Sequence, residues 1–409
     1  MQKKNLYTTY VLADLSVKEK LRDQLGLLQT DLIFSNGIYE TEKFLSENQP
    51  DLIVIDKSFM ELYSEEFGML SLLYPALKFI PLIYLGSPND NFVSLLNHYR
   101  ILDCFEGSDF VPVLSKASEH LKPSVRIRLW GVRGSTPCAN FENMGYGGNT
   151  SCVEINAPGV DNLLILDSGT GIRNLGNYLE RHNSKSFSGQ IFITHPHWDH
   201  IQGFPFFKPF YSSRNKFSIH LPEQYRGGAQ EILSGHLTKT FFPVTLDMLD
   251  AQLEYITQKE ELQQFPGYTI EYIVANHPTK TAIYKVKING LTIVYAPDNE
   301  IPLKSSPIRF LDLFEEFIKD CDLLIHGGQF TLKQYHEKVG WGHSAWERVV
   351  EIAKRNGVKK LFITHHDPDS NDNLLSKRDE KLKQYTGSTL SEVCLAKEGS
   401  EIRLPIRQK

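Results

Sequence analysis

The stretch that decides the fold is Thr194-His195-Pro196-His197-Trp198-Asp199-His200, which directly follows the apolar run Gln190-Ile191-Phe192-Ile193. A short apolar run of this kind predicts a buried strand. The histidines and the aspartate then lie together at the end of that strand, where their side chains can converge. Imidazole nitrogens and carboxylate oxygens are ligands for zinc, iron and manganese. The sequence therefore predicts a metal site, with the first two histidines on one ion and the Asp199-His200 pair on a second.

The composition is that of a globular protein and excludes several classes. The chain has 409 residues, 41% hydrophobic and 23% charged, and about 150 residues per domain predicts two to three domains. A net charge of −5 disfavours a generally basic nucleic-acid binder, so a large nucleic acid is not expected as a partner. No apolar run reaches the roughly 18 residues of a membrane helix. Five widely spaced cysteines without a CxxC motif fit a reducing compartment. We expect a cytoplasmic protein with no membrane partner.

The pattern of apolar runs and turns changes once along the sequence. Residues 1–122 alternate short apolar runs with helical patterns, which predicts an α/β domain with a doubly wound parallel sheet. Residues 123–409 are richer in strands separated by turns that contain glycine and proline. We therefore predict a domain boundary near residues 122 and 123.

The histidine motif after an apolar strand resembles that of the metallo-β-lactamase fold. Two preceding segments, 130–137 (Trp-Gly-Val-Arg-Gly-Ser-Thr-Pro) and 147–151 (Gly-Gly-Asn-Thr-Ser), resemble the phosphodiesterase branch of that superfamily, near ribonuclease Z and the cyclic-nucleotide phosphodiesterases. The resemblance extends over residues 126–405. It implies an αββα sandwich of two sheets between helices, with the metal site at the sheet edges. It also places Asp167, in Leu166-Asp167-Ser168-Gly169, beside the ligands rather than among them.

The same resemblance implies three further ligands. His277 matches the third histidine of the first metal, and Asp298 matches a carboxylate that bridges both metals. His365 or His366 matches the last histidine of the second metal, and we prefer His365 because it directly follows an apolar run. The expected ligands are His195, His197, Asp199, His200, His277, Asp298 and His365. They would hold two divalent ions, zinc first, with manganese or iron as alternatives.

A histidine outside the ligand set is the second candidate catalytic residue, beside Asp199. His343 precedes a helical pattern in which Ser344 and Glu347 form a capping box, which predicts that it lies at a helix N-terminus, where anions bind. The segment resembles a Gly-His-Ser element of ribonuclease Z relatives. We expect His343 to contact the substrate phosphate or to protonate the leaving oxygen; alternatively, it only orders its loop. The segment around His326 resembles one in which those relatives normally have an acidic residue after the histidine. This chain has Gly327 at that position.

The expected function is hydrolysis by a hydroxide shared between two metal ions. A cyclic nucleotide or another small phosphodiester is the expected substrate, because the basic residues of segment 204–262 are scattered rather than gathered in an arm. Three alternatives stay open. They are hydrolysis of another ester such as a thioester, a metal-based sensor in signalling (for example one with two iron ions), and a ribonuclease that processes tRNA 3′ ends.

The N-terminal region resembles a response-regulator receiver domain of the flavodoxin-like class. The resemblance depends on the alternating pattern and on Asp56, which follows the apolar run Leu52–Ile55 in the position of the phosphoacceptor. Receivers usually have two acidic residues after the first strand, but here Asp14 is followed by Leu15. Gly86 occupies the position after the fourth strand where receivers usually have a serine or a threonine. We therefore expect a degenerate receiver in which Asp56 is a turn residue, and which forms a homodimer or binds a partner.

Overall fold

The structure is a computed structural model of the chain. It describes residues 7–25, 30–35, 37–48, 50–74, 77, 80–93, 100–107, 110–182, 186–225, 227–259, 262–303, 308–387 and 389–407. The backbone divides into two compact units, residues 1–123 with 178–184, and residues 124–177 with 185–409. That the two parts fold as independent domains stays a prediction.

The first unit contains a five-stranded sheet with the order β2-β1-β3-β4-β5. Its strands are β1 (Tyr7–Leu12), β2 (Thr30–Ser35), β3 (Leu52–Asp56), β4 (Pro81–Leu85) and β5 (Arg100–Cys104). Its helices are α1 (Leu15–Leu25), α2 (Ile38–Glu47), α3 (Lys57–Leu73) and α4 (Val111–His120). All of the neighbouring strands pair in parallel. This is the strand order of flavodoxin-like folds.

Both faces of this sheet are buried, as the continuous apolar run of β3 predicts. Ile53 and Ile55 belong to one hydrophobic cluster, whereas Leu52 and Val54 belong to another. Successive residues of a strand point to opposite faces, so the two clusters lie on the two sides of the sheet. The doubly wound α/β class predicted for this region is confirmed.

Asp56 ends β3 and serves as the N-cap of α3. Its carboxylate accepts hydrogen bonds from the backbone N–H of Phe59 at 2.8 Å and from the Ser58 hydroxyl at 2.9 Å. The backbone N–H of Asp14 donates to the other oxygen at 3.0 Å. These contacts give Asp56 a structural role at the strand end; the resemblance to a degenerate receiver stays a prediction.

The second unit is built on two seven-stranded sheets. The first has the order β11-β10-β9-β8-β7-β6-β19, with β6 (Ser124–Gly131), β7 (Cys152–Asn156), β8 (Leu163–Leu166), β9 (Ser188–Phe192), β10 (Lys216–Pro222), β11 (Gln252–Gln258) and β19 (Glu401–Pro405). The second has the order β12-β13-β14-β15-β16-β17-β18, with β12 (Gln263–Phe265), β13 (Tyr268–Val274), β14 (Ala282–Ile288), β15 (Leu291–Ala296), β16 (Leu323–Gly327), β17 (Lys360–Thr364) and β18 (Glu392–Leu395).

In the described part of this unit, seven α-helices connect the strands. They are α5 (Gly171–His182), α6 (Trp198–Ile201), α7 (Ala229–His236), α8 (Ile308–Ile318), α9 (Leu332–Tyr335), α10 (Trp346–Arg355) and α11 (Asp372–Lys383). Short 3₁₀ helices cover Phe141–Asn143, Phe204–Phe206, Lys208–Tyr211 and Leu246–Met248. Among the helices that the structure describes, none is both long and apolar enough to cross a bilayer.

The two sheets pack face to face around one hydrophobic core. Leu129, Leu166 and Phe192 of the first sheet share a cluster with Tyr284 and Ile325 of the second. Helix α7 contacts β10 and β11, and α10 contacts β16 and β17, so helices cover both sheets. The predicted αββα metallo-β-lactamase sandwich is confirmed.

The site is positioned by strands that end at the same edge of each sheet. β8 and β9 are parallel neighbours, and so are β15, β16 and β17. Because parallel strands finish on one side, the loops after them meet there. Asp167 follows β8, the 194–200 segment follows β9, Asp298 follows β15, and His365 follows β17. The candidate ligands follow apolar runs in the sequence because those runs are parallel strands that end at the same sheet edge.

Candidate metal centre

The first group of candidate ligands is His195, His197, His277 and Asp298. His195 Nε2 lies 2.8 Å from His197 Nδ1, which lies 3.3 Å from His277 Nε2. Asp298 Oδ2 is 3.6 Å from His195 Nε2 and 3.7 Å from His277 Nε2. Four potential ligand atoms therefore surround one point.

The second group is Asp199, His200 and His365, which the other oxygen of Asp298 completes. Asp199 Oδ2 lies 3.3 Å from His200 Nε2 and 3.0 Å from His365 Nε2. Asp298 Oδ1 lies 3.1 Å from each of the same two nitrogens. The two oxygens of Asp298 are thus divided between the two groups.

These donors fit a pair of divalent cations. Two ligand atoms that each lie about 2.1 Å from one ion in tetrahedral geometry are about 3.4 Å apart, within the range of separations observed here. His200 Nε2 and Asp298 Oδ1 are buried and have no hydrogen-bond partner among the described residues. A buried polar atom without a partner is costly, and a cation at the second group would satisfy both atoms. The structure brings all of the sequence-predicted ligands together; their role as ligands is a proposal.

The charges around the groups favour a cation. Burial on its own would lower the pKa of His200, but the carboxylates of Asp199, Asp167 and Asp298 raise that pKa well above its usual value. Burial would raise the pKa of Asp298, yet the neighbouring histidines, His365 foremost, hold that pKa well below its usual range. The carboxylates are therefore ionised, and without a metal ion a proton on His200 offsets part of their charge, a place that a cation could take.

Asp167 supports the second group without being part of it. Its carboxylate accepts hydrogen bonds from the Thr194 backbone N–H at 2.7 Å and from the Tyr295 hydroxyl at 2.9 Å. It also lies 2.8 Å from His200 Nδ1. If Nδ1 carries the proton, Nε2 of His200 has its lone pair free for a metal, which is the usual arrangement around ligand histidines. Asp167 has a φ of 62°, a strained backbone that these contacts maintain.

His365 and His366 point in opposite directions. His365 adopts a φ of 58° and lies against Gly134, where a Cβ atom would be 2.3 Å from its Nδ1. His366 Nε2 lies 2.8 Å from the carbonyl oxygen of Ala396, and its ring meets Tyr146 edge-on. Only His365 of the pair reaches the candidate ligands, and the absence of a side chain at Gly134 makes room for it.

His343 lies over the same site. Its Nδ1 is 3.7 Å from Asp298 Oδ2, and its ring stacks on that of His365 with centroids 5.0 Å apart. Burial lowers the pKa of His343 to about 3, so its imidazole is neutral in this environment. A neutral imidazole can still donate one hydrogen bond to a substrate oxygen.

A helix follows His343 as predicted, but the capping box predicted for Ser344 and Glu347 is wrong, and the N-cap of the helix is Ala345. Helix α10 begins at Trp346 and its N-cap makes no side-chain hydrogen bond. The Ser344 hydroxyl instead donates to the Asn299 carbonyl at 2.6 Å, and Glu347 accepts from the Leu332 backbone N–H at 3.0 Å. Partners distant in the sequence therefore take both side chains away from the helix end, and His343 belongs to a loop.

Two contributors were not found by reasoning from the sequence. Ser135, with a φ of 63°, donates its backbone N–H to Asp199 Oδ2 at 2.8 Å. Glu300 is buried and accepts hydrogen bonds from the loop that carries His343. The position of Glu300 two residues after Asp298 was the available signal, but its partners lie about 40 residues further along the chain.

An open cavity of about 420 Å³ exposes the candidate ligands to solvent. It is lined by Ser135, Pro196, His197, Trp198, Asp199, Asp298, His343 and His365. The Trp198 side chain is 74% exposed beside it. The cavity therefore offers candidate metal ligands, the His343 imidazole and an exposed aromatic surface to a bound molecule.

Comparison with known proteins defines the class. The sequence profile of the β-lactamase superfamily domain matches residues 164–366, which contain every candidate ligand. The metallo-β-lactamase fold protein YhfI from Bacillus subtilis superposes with a TM-score of 0.50 at 20% identity, covering 69% of this chain and 100% of its own. Residues 164–366 thus belong to a metallo-β-lactamase-fold domain, and the comparisons support a metal-dependent hydrolase.

Within the superfamily the chain is similar to ribonuclease Z. That of Haloarcula marismortui is 22% identical over 320 residues, which cover 69% of this chain and 97% of that enzyme. That of Methanosarcina acetivorans is 22% identical over 339 residues, with 69% and 99% coverage. These relatives support a hydrolase of phosphoesters.

The expectation that a large nucleic acid is an unlikely partner is wrong. The similarity covers almost the full length of enzymes whose name denotes cleavage of RNA. The expectation relied on the net charge of −5 and on scattered basic residues. A net charge is a sum over the whole chain, whereas binding of a polyanion depends on the local potential where it lies, which cations at the site would also change.

Proposed function

We propose that the chain hydrolyses phosphodiester bonds with two divalent metal ions, zinc first, held by the predicted ligands. The observation that carries the proposal is the division of Asp298, whose Oδ2 belongs to the first group and whose Oδ1 belongs to the second. When bound, such a pair of ions supplies an activated water nucleophile at neutral pH and stabilises charge on the phosphoryl oxygens.

The residues of the chain supply orientation and contact with the substrate. Asp167 orients His200, and the Ser135 backbone N–H fixes Asp199. His343 lines the cavity above Asp298, from where it can donate a hydrogen bond to the phosphate or to the leaving oxygen. Each of these groups is in place before a substrate binds, which limits the reorganisation that the reaction requires.

The proposed substrate is a small phosphodiester, with a cyclic nucleotide as the first class to test. The 420 Å³ cavity is of the size that holds a single small ligand, and Trp198 offers a surface for base stacking beside it. RNA is the second candidate, because the ribonuclease Z relatives cover most of this domain.

The test combines metal analysis with turnover. The purified chain should contain two ions per molecule and should cleave bis-p-nitrophenyl phosphate, and Asp199→Ala should abolish the cleavage. His336→Ala is the matched control, because His336 is an exposed histidine outside the candidate ligand groups. Cyclic nucleotides and an RNA with a 3′ extension, tested side by side, distinguish the two substrate classes. Full metal loading without turnover of any phosphodiester would contradict the proposal and would favour a di-iron sensor if the optical spectrum shows iron.

A further inference from the structure

Glu300 connects the bridging Asp298 to the loop that carries His343. Its side chain is 5% exposed, and it follows Asp298 by two residues. Its carboxylate accepts hydrogen bonds from the backbone N–H of Gly340 at 3.0 Å and from that of Gly342 at 2.8 Å. The Tyr335 hydroxyl donates to the same carboxylate at 2.7 Å. A buried carboxylate with three donors is fully satisfied, so this network is firmly held.

The clamped loop then contacts a candidate metal ligand. His277 Nδ1 lies 3.1 Å from the carbonyl oxygen of Gly342, the residue whose N–H bonds to Glu300. Gly340 and Gly342 have φ values of 87° and 85°, which favour glycine. At Gly342 a Cβ atom would lie 2.1 Å from His277 Nδ1. The loop therefore approaches His277 closely, in a conformation that needs external support.

A second contact fixes the other end of the loop. The Ser344 hydroxyl donates to the Asn299 carbonyl oxygen at 2.6 Å and accepts from the Ile301 N–H at 2.8 Å. The two residues beside Glu300 thus hold the residue beside His343. Segment 298–301 and loop 340–344 form one unit, in which the position of the loop depends on the segment after Asp298.

We propose that Glu300 is a positioning residue for the first ligand group. By holding the Gly342 N–H, it presents the Gly342 carbonyl oxygen to the Nδ1–H of His277, which leaves Nε2 of His277 available to a metal. The same contact fixes the position of the His343 side chain relative to Asp298. The inference depends on the proposed metal assignment.

Glu300→Ala tests this role by removing the carboxylate, of which one oxygen, Oε2, accepts from both loop N–H groups. Both loop contacts are then lost, whereas a glutamine oxygen in the place of Oε2 could keep them. In a two-site titration with Co²⁺, we expect the affinity of one site to fall about 10- to 100-fold, the usual effect of removing such a support, while the other site is unchanged. The Nδ1–H of His277, observed as a hyperfine-shifted proton signal of the Co²⁺ protein, should exchange faster with solvent.

Tyr335→Phe is the matched control, because it removes a hydrogen bond from the same carboxylate but leaves both loop contacts intact. It should lower stability without changing either Co²⁺ affinity. Glu300→Asp keeps the charge and should give an intermediate loss, so it carries the test if Glu300→Ala does not fold. Unchanged affinities and exchange in the Ala variant would overturn the positioning role alone. A parent chain that binds no Co²⁺ would overturn the proposed function as well.

Discussion

Asp167→Asn should remove the metal from the second ligand group by changing the tautomer of His200. The carboxylate accepts from the Thr194 backbone N–H with Oδ1, and it contacts His200 Nδ1 and the Tyr295 hydroxyl with Oδ2. An asparagine of the same shape has one acceptor oxygen. The fixed backbone N–H of Thr194 keeps that oxygen, so the amide nitrogen faces His200.

The size of the expected loss in metal affinity depends on which hydrogen-bond partners of residue 167 can accept from the new amide. The Tyr295 hydroxyl can rotate and accept from the new amide, at little cost. His200 Nδ1 can accept only if the proton moves to Nε2, the atom that points at Asp199 and Asp298. A protonated Nε2 cannot bind a metal. We therefore expect the affinity of the second site to fall at least about 10- to 100-fold, which is about 1.4 to 2.8 kcal/mol.

The assay is a zinc competition titration that resolves two dissociation constants, with turnover of bis-p-nitrophenyl phosphate measured at saturating zinc. Tyr295→Phe is the control, because it removes a donor from the same oxygen of Asp167 without altering the contact to His200. Urea unfolding of the chelated proteins separates metal loss from loss of stability. Two wild-type zinc affinities in Asp167→Asn, with wild-type turnover, would refute the tautomer argument.

Three further predictions concern other residues. Asp298→Ala should leave less than one ion per chain in elemental analysis, because both groups lose an oxygen; two retained ions would contradict the bridge. His343→Ala should keep both ions and lose about 10²- to 10⁴-fold in turnover; full turnover would leave His343 with a structural role only. Burial lowers the pKa of His220 from 6.5 to about 4, so the unfolded chain binds the proton first and stability falls as pH decreases from 6.5 towards 4. The loss in the free energy of unfolding is about 3 kcal/mol at most. His220→Gln should therefore reduce the pH dependence of the urea midpoint in metal-free protein. The same pH dependence in the variant and in the parent chain would contradict this prediction.

The sequence identified most candidate ligands because each follows a strand that is itself readable. His195, Asp298 and His365 all come within three residues after a buried apolar run. Parallel strands end at one sheet edge, so a local pattern carries information about the tertiary position. In the sequence, the preference for His365 over His366 depended only on its position directly after the strand. The space that Gly134 leaves for the His365 ring is seen only in the folded structure.

The contacts that reasoning from the sequence missed are long-range hydrogen bonds. Ser344 has the spacing of a capping box, but its hydroxyl bonds to the backbone around residue 300, more than 40 residues away. A capping pattern reports only what is favourable in an isolated segment, and a buried loop offers competing partners. The sequence did not reveal Glu300 for the same reason, since two of its three partners are backbone N–H groups, which no residue type identifies.

The energetic cost of the site explains why its support is so extensive. Asp167, Asp199 and Asp298 are all buried, and buried carboxylates are strongly unfavourable unless positive charge and hydrogen bonds compensate. The left-handed backbones of Asp167 and His365 add strain at the same place. Histidines alone can compensate only by taking up protons, which would prevent them from acting as ligands. The proposed pair of divalent cations would supply the charge while leaving the imidazoles neutral, so this sheet edge would be most stable in the state that can bind and cleave a substrate.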